Sequence, residues 1–181
     1  AHAAQTFAAA GADCVAPSDM MDGRVAAIRA RLLERGHDDV AIMSYSAKFH
    51  SGLYGPFRVA ADSAPADNIA LHDRSSYQID PARPDDALLS SMRDDREGAD
   101  ILMVKPGMPY LDVLVRLSAA IPKPWAVYQT SGEVAGLELL AQAGLAERRR
   151  VFVESWIAFA RAGATMIISY NAREARAWLQ P

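Results

Sequence analysis

"EGADILMVKPG", residues 97–107, decides the fold. Glycine suits the left-handed position just past a helix end, so Gly98 marks where a helix stops. The apolar run that follows is short enough for a buried parallel strand. It closes on Lys105 and a Pro-Gly turn. The signal recurs: "AGAD" at 10–13 precedes "CVAPSD", and "AGAT" at 162–165 precedes "MIISYNA". "VAIMSYS" at 40–46 and "WAVYQTS" at 125–131 fit the same template. Helical segments lie between these runs. Residues 22–35 carry Val25, Ile28, Leu32 and Leu33 at helical spacing. Residues 85–96, 109–120, 133–143 and 147–161 are the other predicted helices, and Gly36 and Gly144 stop two of the five.

This alternation predicts five parallel strands in an α/β sheet or barrel. Polar residues gather at the C-terminal strand ends: Ser18, Asp19, Ser46, Lys48, Lys105, Ser131 and Tyr170. In a (β/α)8 barrel that end carries the active site. Such a barrel needs eight strands and about 250 residues. Five strands therefore mean an open sheet, or a barrel whose first three strands are absent. "AHAAQTFAAA" at 1–10 reads as a helix entered midway rather than a signal peptide, which favours the second and a start inside a larger protein.

The 181 residues suffice for one domain with a real core, taken as 1–181. A net charge of −3 offers no basic field for nucleic acid. The apolar runs fall far short of the roughly 18 residues of a membrane span. Cys14 is the only cysteine, so it forms no intrachain disulfide and fits a reducing cytosol. It also cannot build a thiolate zinc site by itself. Residues 49–84 form a long connection with "YGPFR" and "HDRSSYQIDP". Loops of that length are usually functional or disordered, and its aromatic residues predict an ordered lid.

Side-chain alternation supplies the chemistry. Lys105 shares a strand face with Ile101 and Met103. Lys48 shares one with Val40, Ile42, Ser44 and Ser46 if its strand persists that far. A lone lysine at a strand end is ordinarily a solvated charge. Two lysines converging in a pocket differ, because desolvation and a neighbouring like charge both favour the neutral amine. A neutral amine attacks a ketone to give an imine. Arg58 and Arg74 in the lid offer guanidinium forks for a carboxylate, though each alone also reads as an ordinary surface ion pair. Ser131 and Tyr170 offer hydroxyls for a second carboxylate. Ser131 reads equally as a helix N-cap, and Tyr170 as a core aromatic.

The stretches "VAPSDMMDGR", "MSYSAKF", "YGPFR", "DRSSYQ", "GADILMVKPGMPYLD", "YQTSGE" and "RAGATMIISY" resemble the δ-aminolevulinic acid dehydratase (porphobilinogen synthase) family. The resemblance runs from about residue 8 to Leu179. It implies a (β/α)8 TIM barrel of which this chain covers about strands 4 to 8. It implies a cytoplasmic lyase of haem biosynthesis, usually a homo-octamer, that condenses two 5-aminolevulinates to porphobilinogen with loss of two waters. The family's two Schiff-base lysines match Lys48 and Lys105. Lys105 would hold the substrate that becomes the propionate side, and Lys48 the one that becomes the acetate side. Arg58 and Arg74 match the carboxylate ligands of the second substrate, and Ser131 and Tyr170 those of the first.

The resemblance also implies what is missing. The N-terminal arm, three strands and the metal-binding "DVxLxPYTxHGHxG" segment have no counterpart here. Zn or Mg is expected for the family, yet these residues predict no metal ligand. The glutamate of a stimulatory Mg site matches Ser90. Leu53, His50 and Thr130 are smaller departures. The expectation is that this chain alone forms no porphobilinogen. Two other readings stay open: a single-lysine class I aldolase-like enzyme, and a non-catalytic half-barrel acting by association.

Overall fold

The computed structural model describes residues 1–61 and 74–180. The part of the predicted lid at 62–73 lies outside the described residues. The chain begins with α1 (His2–Ala9), β1 (Cys14–Val15), α2 (Arg24–Glu34) and β2 (Ala41–Lys48). A 3-10 turn at Gly52–Tyr54 leads into the short α3 (Gly55–Ala60). Then come α4 (Pro84–Arg96), β3 (Ile101–Lys105), α5 (Leu111–Ala120) and β4 (Trp125–Tyr128). The order ends with α6 (Ser131–Gln142), α7 (Arg148–Arg161), β5 (Met166–Ile168) and α8 (Ala172–Trp178).

All five strands pair in parallel, in the sequential order β1-β2-β3-β4-β5. Strand order never reverses, so the sheet lacks the switch point of a doubly wound fold. It has the winding of a (β/α)8 barrel, of which these strands make a curled, incomplete part. The recurrent glycine acts as its spacing predicts: Gly11, Gly98 and Gly163 have φ of 96°, 97° and 109°, each just past a helix end.

One face of the sheet carries the core. Leu102 pairs with Trp125 and Val104 with Val127, and all four are buried in the hydrophobic cluster that α4, α5 and α7 help to close. From the helices come Ala87, Leu114, Leu117, Phe152 and Phe159, each wholly buried. A buried polar knot lies in the same layer. The Arg24 guanidinium grips both oxygens of Asp94 on α4, at 2.9 and 3.3 Å, and donates to the Ser44 hydroxyl at 2.8 Å. It also donates to the Tyr45 carbonyl at 3.3 Å. Burial raises the Asp94 pKa, while Ser44 and Arg24 oppose the rise.

The opposite face carries Met43, Tyr45, Ile101, Met103, Lys105, Ala126 and Tyr128. Met43 pairs with Ile101 and Met103 with Ala126, as expected of one face. Here the structure corrects the predicted parity of Lys48. Its strand-mates Ile42 and Ser44 lie on the helix-covered face, so strict alternation would carry Lys48 there too. A register shift between Ser44 and Ala47 intervenes: Ser44 pairs with Leu102, but Ala47 pairs with Val104. Two residues of β2, Tyr45 and Ser46, oppose the single Met103. This β-bulge re-aims every later side chain, so Lys48 pairs directly with Lys105.

Candidate active site

Lys48 and Lys105 end adjacent strands, side by side in register. Lys48 is 7 % exposed and donates to the Ser18 carbonyl at 2.6 Å, which ties it to the loop after β1. Lys105 sits among aromatic rings. Its Nζ lies 3.7 Å from the Tyr128 centroid, 5.2 Å from that of Tyr45 and 5.6 Å from that of Tyr54. The Lys48 Nζ is 5.6 Å from the same Tyr45 ring.

Burial pulls the Lys48 pKa down to about 8; Arg74 and, more weakly, Arg24 add to the fall, and Asp19 opposes it. Lys105 is also drawn to about 8, first by burial, then by the Lys48 charge, with Glu133 opposing. Against an ordinary value of 10.5, that raises the neutral amine fraction near neutral pH by roughly 300-fold. The aromatic rings shelter the site from water and still solvate an ammonium through their faces.

Arg58 lies on α3, its guanidinium carbon 5.6 Å from the Tyr54 ring centroid. Its Nε and one terminal nitrogen are buried without a hydrogen-bond partner. Arg74 acts on both lysines, and both arginines lower the pKa of the Tyr54 hydroxyl, which burial has driven well up. Tyr54 thus links the two arginines to Lys105. Its hydroxyl donates to the Phe49 carbonyl at 3.0 Å.

Ser131 and Tyr170 meet across an apolar cavity of about 330 Å³, with Pro56, Phe57, Val134 and Ala135 in its wall. The predicted N-cap role of Ser131 is corrected. Thr130 precedes the helix, and its hydroxyl donates to the Glu133 carboxylate at 2.7 Å. Ser131 is the first helical residue, and its hydroxyl accepts from the Phe57 N–H at 3.1 Å. Tyr170 is half exposed, and it meets the Tyr128 ring edge-on with centroids 6.4 Å apart.

Several site residues went unnoticed in the sequence. Tyr45 and Tyr128 sit one and three positions before polar residues that were noticed, and strand parity would have found them. Glu133 is buried, and its carboxylate accepts from Gly107 N–H at 3.1 and 3.2 Å and from Met108 N–H, pinning the turn after Lys105 to α6. Gln78, inside "DRSSYQ", is 5 % exposed with both amide atoms unpaired. It lines a polar cavity of about 510 Å³ with Asp80, Arg83 and Arg93. Only the fold reveals such a buried, unpaired amide.

Among the described residues, no group of three or more His, Cys, Asp or Glu side chains is placed to hold a metal ion. Ser90 is buried and accepts from the Arg93 guanidinium at 3.2 Å, a cation where a metal would need an anion. Among the described residues, no helix is long and apolar enough to cross a membrane.

A family model described as Delta-aminolevulinic acid dehydratase matches residues 1–178. A relative from Macaca fascicularis with that name is 50 % identical over 182 residues, covering 99 % of this chain and 54 % of its own. The chloroplastic relative from Physcomitrium patens is 49 % identical, covering 95 % and 39 %. The crystal structure of the Toxoplasma gondii ME49 enzyme, solved with its reaction product porphobilinogen, superposes with a TM-score of 0.92. It is 45 % identical and covers 97 % of this chain and 49 % of that one. The chain spans about half the length of the curated relatives it matches. It belongs to the delta-aminolevulinic acid dehydratase family.

Proposed function

We propose that this chain is the two-lysine portion of a porphobilinogen synthase. The observation that carries the reading is the Lys48–Lys105 pair, in register at one end of the sheet and both lowered to about 8. Each neutral Nζ attacks the ketone carbon of one 5-aminolevulinate. The carbinolamine loses water and leaves an imine. Lys105 takes the propionate-side substrate and Lys48 the acetate-side one. Holding both substrates covalently removes the entropy cost of their encounter.

Arg58 and Arg74 bind the carboxylate of the Lys48 substrate; the buried, unpaired nitrogens of Arg58 support an anion there. Ser131 and Tyr170 bind the carboxylate of the Lys105 substrate. Residues 49–84 act as a lid over the site, within a single domain of 1–181. A divalent Zn or Mg ion and a homo-octameric assembly, both expected for the family, belong to the same reading. The single Cys14 supports a reducing, cytoplasmic setting, although matched plant relatives are chloroplastic by name.

Borohydride trapping with 5-aminolevulinate, followed by peptide mass mapping, tests this. Adducts on both Lys48 and Lys105 are expected. An adduct on one lysine alone would favour the single-lysine aldolase-like reading. Adducts on neither would leave the half-barrel without imine chemistry.

A further inference from the structure

Lys48 reaches Lys105 across a bulge, because β2 holds one residue more than β3 between their paired positions. Pairing that begins at Met43 with Ile101 and Ser44 with Leu102 resumes at Ala47 with Val104. Continued without the shift, it would set Ala47, not Lys48, on the face of Lys105. A bulge lengthens the ladder locally and leaves a gap opposite the single partner residue. In β2 the gap is spanned by a side chain. The Ser46 hydroxyl, wholly buried, accepts from the Met103 N–H at 3.2 Å and donates to the Met103 carbonyl at 3.4 Å. On the far side, the Tyr45 N–H donates to the Pro17 carbonyl at 3.3 Å, and the Tyr45 carbonyl accepts from Arg24 at 3.3 Å.

We propose that Ser46 is a positioning residue: its hydroxyl, bridging both backbone groups of Met103, holds the β2 bulge and so keeps Lys48 on the face of Lys105. The proposal rests on the use of Lys48 as an amine nucleophile. Ser46 touches no substrate; it acts through the strand. Ser46→Ala removes the bridge from the middle of a buried ladder. Lys48 then either turns toward the helix layer or frays into water. Solvent is the outcome that avoids burying the charge against Leu102 and Val104. The groups that face Lys48 in the intact site are Lys105, Arg74, Asp19 and Arg24.

Deletion tells the bulge from mere packing. Without Ser46 the ladder becomes regular, with Tyr45 opposite Met103, Ala47 opposite Val104 and Lys48 still opposite Lys105. Removing the residue is therefore milder for Lys48 than truncating it, an ordering that a purely structural serine would not produce.

The test is competitive trace acetylation of the folded chain across the alkaline range, with each lysine read by peptide mass and Lys123 as the internal reference. The reagent needs no keto acid, so failure of imine formation and failure of this proposal are separable. In the parent chain Lys48 and Lys105 titrate near 8. Ser46→Ala moves Lys48 toward 10.5, and Lys105 follows part of the way as it loses its charged neighbour. The Ser46 deletion leaves both near 8. Unchanged titration of Lys48 in Ser46→Ala overturns the proposal, as does an upward shift of Lys48 in the deletion. Should Ser46→Ala not fold, the deletion decides alone: a folded deletion with both lysines near 8 supports the bulge, and any other result overturns it.

Discussion

β2 and β3 deliver the same side chain to the same place by different means. β3 is regular: Ile101, Met103 and Lys105 alternate onto one face, and Gly107 lets the chain turn tightly against Phe159, where an added Cβ would come within 2.7 Å. β2 arrives at Lys48 through a bulge, a hydroxyl bridge and a guanidinium held by Asp94. A regular strand carries its own instructions in its period. An irregular one depends on contacts from distant elements, and so offers more places to break.

The largest expected effect comes from breaking the pair itself. Lys105→Ala and Lys48→Ala should each abolish the adduct at that position under borohydride trapping, as mass mapping would read. Lys48→Ala should also raise the pKa of Lys105, because the Lys48 charge helps to lower it. Next is the support of β2. Asp94→Ala leaves the buried Arg24 with only the exposed Asp19 carboxylate at 3.3 Å, and should cost about 3–5 kcal/mol in urea unfolding. Among the described residues, no comparable charge pair supports the end of β3, so the difference between the strands should appear as unequal loss of Lys48 and Lys105 labelling.

A smaller effect is expected at Gly132. A Cβ there would lie 2.6 Å from the Leu53 carbonyl oxygen and 2.7 Å from its Cα. Gly132→Ala should cost about 1–3 kcal/mol by overpacking and push the segment leading into α3, and with it Arg58, away from α6. Circular dichroism melts and weakened retention of 5-aminolevulinate would report it. The smallest change sharpens the β3 side: Tyr128→Leu removes the ring nearest Lys105 and should cost about 0.5–2 kcal/mol of ammonium stabilisation, seen as a further fall in the Lys105 pKa.

Stability should also follow pH in a specific way. Both lysines fall from 10.5 to about 8 on folding, so above 8 the unfolded chain holds protons that the folded chain has released. Their contribution is unfavourable below 8 and is relieved as pH rises toward 10.5. Tyr45, Tyr54, Tyr110 and Tyr128 have the opposite sense, with values raised above 10.0 by burial, so the unfolded chain ionises first. Urea midpoints should therefore rise from pH 8 and turn over once the tyrosines begin to ionise. A midpoint that falls steadily from pH 8 would contradict the burial of both lysines.

Much of this was legible in the chain. The glycine-ended helices and short apolar runs carried the βα alternation, because a helix stop at positive φ needs glycine and a buried parallel strand needs continuous apolar residues. All five predicted helices stand, within about two residues at their ends. The short α3 and α8 escaped, since neither six nor seven residues can display a helical period clearly. Lys48, Lys105, Ser131 and Tyr170 were legible as residue types at strand ends, and Arg58 and Arg74 as guanidinium forks in the long connection. Their surroundings were not: Tyr45, Tyr54, Tyr128 and Glu133 matter through distance, which a linear pattern does not carry.

The sequence by itself determined the βα alternation, the strand ends that carry lysine and the family. Each rests on local chemistry: glycine conformations, side-chain period and motif identity. Only the tertiary structure decided which way Lys48 points. Strand alternation predicted one parity, and pairing with β3 imposed the other through a bulge. Register is a relation between strands, set by hydrogen bonds from Met103 and Arg24 to residues far away in the chain.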